Sequence, residues 1–205
     1  MVSNIITSGG IATIIIIGMG ILSFLIFLER ILALHRAQIN VKDFLNGIFN
    51  ILRQGNRSEA IMICEETPGP SASLVKTAIM HFSDSPEEYK KAIYESGVEQ
   101  LSRMEKNFAI VSLIAQVAPL IGLFGTIVGM IEYALVIKEA PFVVRMGEIT
   151  SAVLMASISA AFGLAVSVLS SVEYNLLAFK IDRFARDMEH IASEMALFIN
   201  NLKGS

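Results

Sequence analysis

Residues 118–130, APLIGLFGTIVGM, decide how this chain folds. The stretch is apolar apart from one hydroxyl, and Gly122, Gly125 and Gly129 repeat in it at helical spacing. Residues three and four apart lie on one side of a helix, and glycines there let two backbones approach closely. The pattern predicts a membrane-spanning helix that packs against other helices, with Pro119 and the three glycines in its packing surface.

The composition of the chain also indicates a membrane protein. Hydrophobic residues make up 54% of it and charged residues 17%, against about 25% charged in a soluble domain. No ionisable side chain precedes Glu29, the charges then concentrate between residues 30 and 107, and residues 108–172 are again almost entirely apolar. The sequence therefore predicts membrane helices around one polar insert.

Three apolar runs, near residues 9–28, 108–137 and 149–172, are long enough to span a bilayer core of about 30 Å. A signal peptide is the alternative for the first run, but it needs a basic stretch before it and a small-residue cleavage site after it. Glu29 and Arg30 follow the run instead. We therefore predict an all-α membrane protein with three transmembrane helices.

The distribution of Lys and Arg predicts the orientation of these spans. Ten of the 16 lie in the insert, two in the short connection before the third span and four in the tail, so the insert and the tail are expected in the cytoplasm. The predicted organisation is an outward N-terminus with the first span (1–29), a cytoplasmic helical insert (30–107), a second span (108–137), an outward connection (138–147), a third span (148–172) and a cytoplasmic C-terminal helix (173–205).

Helical signals continue within the insert. Apolar spacing predicts helices from Val41 to Leu52 and from Ser58 to Cys64, before the prolines and glycine of residues 67–70 break the chain. Ser85-Pro86, followed by Glu88, is a helix-start signal. No proline follows until Pro119, so we predict one long helix that runs from Pro86 into the second span.

The tail carries an apolar seam at alternating steps of three and four residues, which is typical of packed helices. Its members are Ile181, Phe184, Met188, Ile191, Met195, Phe198 and Leu202. The seam packs either against the 86–107 helix of the same subunit or against a neighbouring subunit. Either alternative predicts that the second and third spans continue as long cytoplasmic helices.

Polar side chains in the spans are candidates for an ion pathway. Thr126 lies near the middle of its span and can orient a proton or a water molecule, whereas Ser157 and Ser159 fit either helix packing or ion movement. Glu132 either pairs with cations of the outward connection or lies at a pore entrance. Glu148 is either a carboxylate stabilised by the start of its helix or part of the pathway.

Other functional classes find no support in the sequence. The three histidines are scattered, no phosphate-binding loop occurs, and the lone Cys64 excludes an intrachain disulfide. The net charge of -3 gives no basic field for nucleic acid. We therefore expect no enzyme activity, no metal, no cofactor and no nucleic-acid partner.

The chain resembles the MotA/TolQ/ExbB proton channel family, in particular its TolQ and ExbB branch. The matching segments are the Glu29-Arg30 pair, residues 67–70, residues 118–130, Gly163-Leu164-Ala165-Val166 and Tyr174-Asn175. The resemblance implies a pentameric ring in the bacterial inner membrane, in which the second and third helices form a pore. Residues Ala160 and Gly163 are then expected in the pore wall or in helix packing.

The resemblance also implies how such a ring works. A single-span partner like ExbD or TolR places a membrane aspartate inside the ring, and Thr126 matches the family's pore-lining threonine. Proton-motive force then drives a stator that does mechanical work across the envelope, through a protein like TonB or TolA. Surrounding membrane lipid is the remaining implied partner.

The third span departs from the family pattern at two positions. Ala160 stands where the family has a threonine, and Met155 stands where it has a glutamate. Ser157, Ser159 and Glu148 are the candidates to replace them. A non-conducting membrane scaffold of the same architecture is therefore the alternative function, and the energised process and the choice between proton and sodium stay open.

Overall fold

The computed structural model describes residues 10–139 and 146–203, and helices dominate this part of the chain. The helices are α1 (Gly10–Arg36), α2 (Val41–Arg53), α3 (Arg57–Glu66), α4 (Pro70–Met80), α5 (Pro86–Glu105), α6 (Phe108–Glu139) and α7 (Met146–Lys203). Three of them, α1, α6 and α7, are long and apolar enough to cross a membrane. The predicted class, an all-α membrane protein with three transmembrane helices, is confirmed.

The chain divides into two compact units. The first, which we call the membrane unit, comprises Met1–Glu29 and Asn107–Leu176; the second, the insert unit, comprises Arg30–Lys106 and Leu177–Ser205. The helices α1 and α7 each contribute residues to both units.

The membrane unit has a small apolar core where three helices meet. Ile16 of α1, Ile114 and Ala118 of α6 and Val166 of α7 are buried together. Most other apolar side chains of these helices are exposed, as expected for surfaces that face lipid or other subunits. The association of the three helices therefore depends on a few close contacts rather than on a broad apolar interior.

The insert unit has a larger core, and the α7 seam is part of it. Met188, Ile191, Met195 and Phe198 are buried in one cluster with apolar residues of α2, α3 and α4, and the rings of Phe49 and Phe198 stack at 4.4 Å. The α5 helix adds Ile93. Packing of the seam within the subunit is thus confirmed, although α2–α4 supply most of its partners and not the 86–107 helix. The side chain of Leu202 lies outside the described residues.

Local sequence signals predicted most helix starts in the insert. The first two predicted helices appear as α2 and α3, and Ser85 begins α5 with a complete capping box, in which its hydroxyl accepts from the Glu88 N–H while the Glu88 carboxylate accepts from the Ser85 N–H. The sequence analysis did not predict α4. That helix begins at Pro70, directly after Gly69, whose φ of +118° favours glycine.

The predicted unbroken helix from Pro86 into the second span is wrong. The α5 helix ends at Glu105, Lys106 leaves the helical conformation with a ψ of 133°, and Asn107 adopts a positive φ of 65° before α6 begins at Phe108. Asparagine tolerates this left-handed conformation better than most residues. The helix break at residues 106–107 therefore coincides with the boundary between the two units.

Candidate functional site

Backbone contact between α6 and α7 is the central feature of the membrane unit. A Cβ atom added at Gly122 would lie 2.9 Å from the Ser159 carbonyl oxygen and 3.1 Å from the Gly163 Cα. One added at Gly163 would lie 2.8 Å from the Ala118 carbonyl oxygen and 2.9 Å from the Gly122 Cα. Only glycine fits at these two positions, because the atoms it would meet belong to the facing backbone.

One helical turn further along α6, all three membrane helices approach each other. A Cβ atom at Gly125 would meet the Ser159 side chain at 2.6 Å and Ala12 of α1 at 3.1 Å. Ser159 is completely buried, and its hydroxyl lies 3.2 Å from the Thr13 hydroxyl, which is also buried. The structure thus places Ser159 in the contact between α1, α6 and α7.

Pro119 interrupts the backbone hydrogen bonds of α6, and α7 compensates for it. Proline has no N–H, so the carbonyl oxygen of Ala115, four residues earlier, loses its usual donor. The Ser167 hydroxyl of α7 donates to this same oxygen at 2.6 Å. The packing of α7 on α6 therefore includes satisfying a carbonyl that proline leaves unbonded.

Replacing Ser167 by alanine is expected to lower the free energy of unfolding by about 1–2 kcal/mol, because the Ala115 carbonyl then loses its donor. In a Pro119→Ala background the restored N–H can bond that carbonyl, so the same replacement is expected to cost much less. Thermal unfolding of the four proteins in detergent measures this difference. If Ser167→Ala destabilised the protein equally with Pro119 and with Pro119→Ala, the Ser167 hydroxyl would not be replacing the donor that proline removes.

Thr126 lies next to this packed surface. It is half-buried, and its hydroxyl donates to the Leu123 carbonyl oxygen of its own helix at 2.6 Å. Large apolar neighbours on α6 are strongly exposed, among them Phe124 at 63% and Met130 at 67%. The hydroxyl retains its acceptor capacity toward a group that approaches from this exposed face.

The other predicted residues lie in different surroundings. Ser157 is exposed and donates to the Val153 carbonyl at 2.9 Å. Ala160 is half-buried, Glu132 is exposed, and Gly129 is buried on the same side as the two glycines before it. The side chain of Glu148 lies outside the described residues.

The sequence analysis missed a buried acid in the membrane unit. Glu173 of α7 is 9% exposed and accepts a hydrogen bond of 2.5 Å from Ser23 of α1, which is 1% exposed. Its neighbour Tyr174 stacks on Phe108 at 4.4 Å. The signal was present in the sequence, since Glu173 directly follows an apolar run, but the predicted end of the span at residue 172 assigned it to the polar tail.

The described residues contain no group of three or more His, Cys, Asp or Glu side chains that could hold a metal ion. The buried polar groups of the membrane unit are instead hydroxyls and one carboxylate between apolar helices. Such groups can orient water and bind or pass a small cation.

Comparison with known proteins identifies the family. The model of the MotA/TolQ/ExbB proton channel family matches residues 66–190, which include the second half of the insert and the whole of both later spans. This chain belongs to that family. The matched range contains both glycine contacts described above, so the close approach of α6 and α7 lies within the family's shared part.

Individual family members are distant from this chain. It is 25% identical over 179 residues to a biopolymer transport protein of Methanothermobacter thermautotrophicus described as an ExbB homolog, covering 85% of this chain and 62% of the relative. An ExbB-like biopolymer transport protein of Synechocystis is 20% identical, with 78% and 77% covered. The biopolymer transport protein ExbB of Aquifex aeolicus is 30% identical, with 49% and 68% covered. All three relatives are described as biopolymer transport proteins of the ExbB type, and this chain spans less than two thirds of the length of the first.

Proposed function

We propose that this chain is a subunit of a proton-conducting stator in the bacterial inner membrane, with its N-terminus outside and its C-terminus in the cytoplasm. Five copies form a ring, and the membrane helix of an ExbD- or TolR-like partner lies inside it. Proton movement through the ring and the partner is coupled to mechanical work on a TonB- or TolA-like protein across the envelope. The role is not enzymatic.

One observation carries this proposal: Thr126 belongs to the family's second-span motif and lies outside the tight helix contact. Gly122 and Gly125 on the same helix are buried against α1 and α7, whereas Thr126 is half-buried beside strongly exposed apolar residues. A hydroxyl needed only for packing within the subunit would lie with the glycines. In its actual position Thr126 can orient an aspartate of the partner, and Ser157, also exposed, is the second hydroxyl available to the pathway.

The remaining predicted pathway residues take narrower roles in the proposal. Ser159 acts through packing, since it is completely buried between α1 and α6. Glu132 and Glu148 attract cations at the outward end of the pore. Pro119, Gly122, Gly125, Gly129, Ala160 and Gly163 form the wall that keeps the helices close together.

The experiment is proton flux into pyranine-loaded vesicles that contain the chain with its single-span partner. We expect Thr126→Ala to lower the flux roughly tenfold or more, the factor for a lost hydrogen bond of about 1.4 kcal/mol in the rate-limiting state. Thr126→Ser keeps the hydroxyl and is expected to retain most of the flux. Replacing the partner's membrane aspartate by asparagine should abolish it.

A non-conducting scaffold is the second candidate, and the third span favours it. Met155 and Ala160 remove an acid and a hydroxyl from the positions where the family has them. Of the two serines nearest to them on α7, Ser157 is exposed and Ser159 is buried in the helix contact. An assembled complex that passes neither protons nor sodium would favour the scaffold. Flux of sodium instead of protons would retain the stator and change its ion.

A further inference from the structure

A cleft in the insert unit is lined by two arginines, Arg30 and Arg103, and by the residues at the start of α4. It has a volume of about 270 Å³. One wall is the end of α1, with Arg30, Ala33 and Leu34, and Ala37 directly after it. The other walls are the start of α4, with Gly69 and Pro70, and α5, with Gln100, Arg103 and Met104. None of the described residues that line the cleft is acidic.

Close packing at Gly69 holds the start of α4 against α1. A Cβ atom added there would lie 2.5 Å from the Ala37 carbonyl oxygen, and the φ of +118° excludes most other residues. On the α5 wall, the Gln100 amide donates to the Ser73 hydroxyl at 3.0 Å, which ties α5 to α4. The walls of the cleft are thus fixed by contacts within the insert unit.

We propose that this cleft binds the phosphate group of an anionic phospholipid. Guanidinium groups match phosphate oxygens in geometry and bind them through paired hydrogen bonds. Arg103 also pairs with Glu99 at 2.7 Å, but both side chains are largely exposed, so this pair is weak and can exchange for a phosphate. The volume lies near the lower limit of small-molecule sites, about 300 Å³, and fits a headgroup better than a nucleotide.

The position of Arg30 in the sequence favours a lipid over a free phosphate. It is the first cation of the chain and follows the apolar residues of α1 with only Glu29 between them, at the level where basic side chains meet lipid headgroups. The apolar wall of Ala33, Leu34 and Ala37 suits the glycerol end of a lipid. The assignment to the inner leaflet rests on the proposed topology, whereas phosphate binding does not depend on proton conduction.

Thermal unfolding of the purified full-length protein in detergent tests this site. Phosphatidylglycerol is added in one series, zwitterionic phosphatidylcholine in the second and soluble glycerol phosphate in the third. We expect phosphatidylglycerol to raise the unfolding temperature in a saturable way, more than phosphatidylcholine does. The double variant Arg30→Gln/Arg103→Gln is expected to bind it about tenfold or more weakly.

Two further variants make the test specific. Arg36→Gln removes the same charge six residues later on α1, outside the cleft, and should bind phosphatidylglycerol like the unchanged protein. Arg103→Gln alone alters an exposed side chain and should fold normally while weakening binding. Equal effects of Arg36→Gln and Arg30→Gln/Arg103→Gln, or equal binding of the two lipids, would overturn the proposal. Arginine-dependent binding of glycerol phosphate as tight as that of the lipid would keep the phosphate site and identify a soluble ligand.

Discussion

Gly163→Leu is expected to abolish the packing of α6 on α7, and Gly163→Ala to weaken it measurably. Even the single added carbon of alanine would lie 2.8 Å from the Ala118 carbonyl oxygen and 2.9 Å from the Gly122 Cα. Both are backbone atoms, so the helices must move apart, at a cost of about 1–3 kcal/mol. Leucine adds three more carbons to the same space and should leave little folded protein.

Gly18→Ala is the matched control, because it makes the same change inside a membrane helix where no atom lies within 4 Å of the added carbon. Both replacements remove the same backbone freedom of glycine, worth about 1 kcal/mol in favour of the variant. The difference between their unfolding temperatures in detergent therefore isolates the helix contact. If Gly163→Ala were as stable as Gly18→Ala, the close approach of α6 and α7 would be wrong.

This contact is also the part of the fold that the sequence predicted best. Small residues at steps of three and four permit few interpretations in an apolar helix, and Gly122 and Gly125 both lie in the predicted packing surface. The capping box at Ser85 was equally predictable, since all its partners lie within four residues. Predictions of this kind succeed because the deciding interactions are local or depend on residue size alone.

Features that depend on distant partners could not be predicted in the same way. The hydrogen bond between Ser23 and Glu173 joins residues 150 positions apart, and no local sequence pattern in either helix predicts it. The break at residues 106–107 has a similar cause, because the residues around it form good helices on both sides and only the non-helical backbone of Lys106 and Asn107 separates them. The hydrogen bond from Ser167 to the Ala115 carbonyl could be predicted only in part. Pro119 predicts that this carbonyl loses its helical donor, but the sequence does not predict which residue replaces that donor.

In the candidate site, too, the sequence predicted what depends on a local motif and did not predict what depends on contacts between helices. Thr126 could be selected from its motif, and its half-exposed position agrees with a role outside intrasubunit packing. Ser159 was chosen as a pathway candidate by its type and spacing. Only the three-dimensional arrangement shows its burial against Thr13 and Gly125, which gives it a packing role within the subunit.

Ile191→Ala is expected to produce the largest loss of stability in the insert unit. Ile191 is completely buried in the cluster that joins the α7 tail to α2, α3 and α4. Truncation of such a side chain leaves a cavity and costs about 2–5 kcal/mol. Leu197→Ala is the control on the same helix, since Leu197 is 60% exposed and its truncation should change stability little.

Cys64 provides the measurement, because it is the chain's one cysteine and lies in the same buried cluster. Burial raises the pKa of its thiol to about 11, so near neutral pH the folded unit holds a neutral, enclosed thiol that reacts slowly with alkylating reagents. Labelling then requires opening of the insert unit, and its rate follows the open fraction when closing is fast.

A loss of about 2–4 kcal/mol is expected to raise the labelling rate of Cys64 about 30- to 1,000-fold. Leu197→Ala should leave that rate nearly unchanged, and thermal unfolding of both variants gives an independent value. If Ile191→Ala labelled no faster than Leu197→Ala, the α7 tail would not be needed to close the core around Cys64. The tail would then have to act outside its own subunit, which is the second alternative that its apolar seam left open.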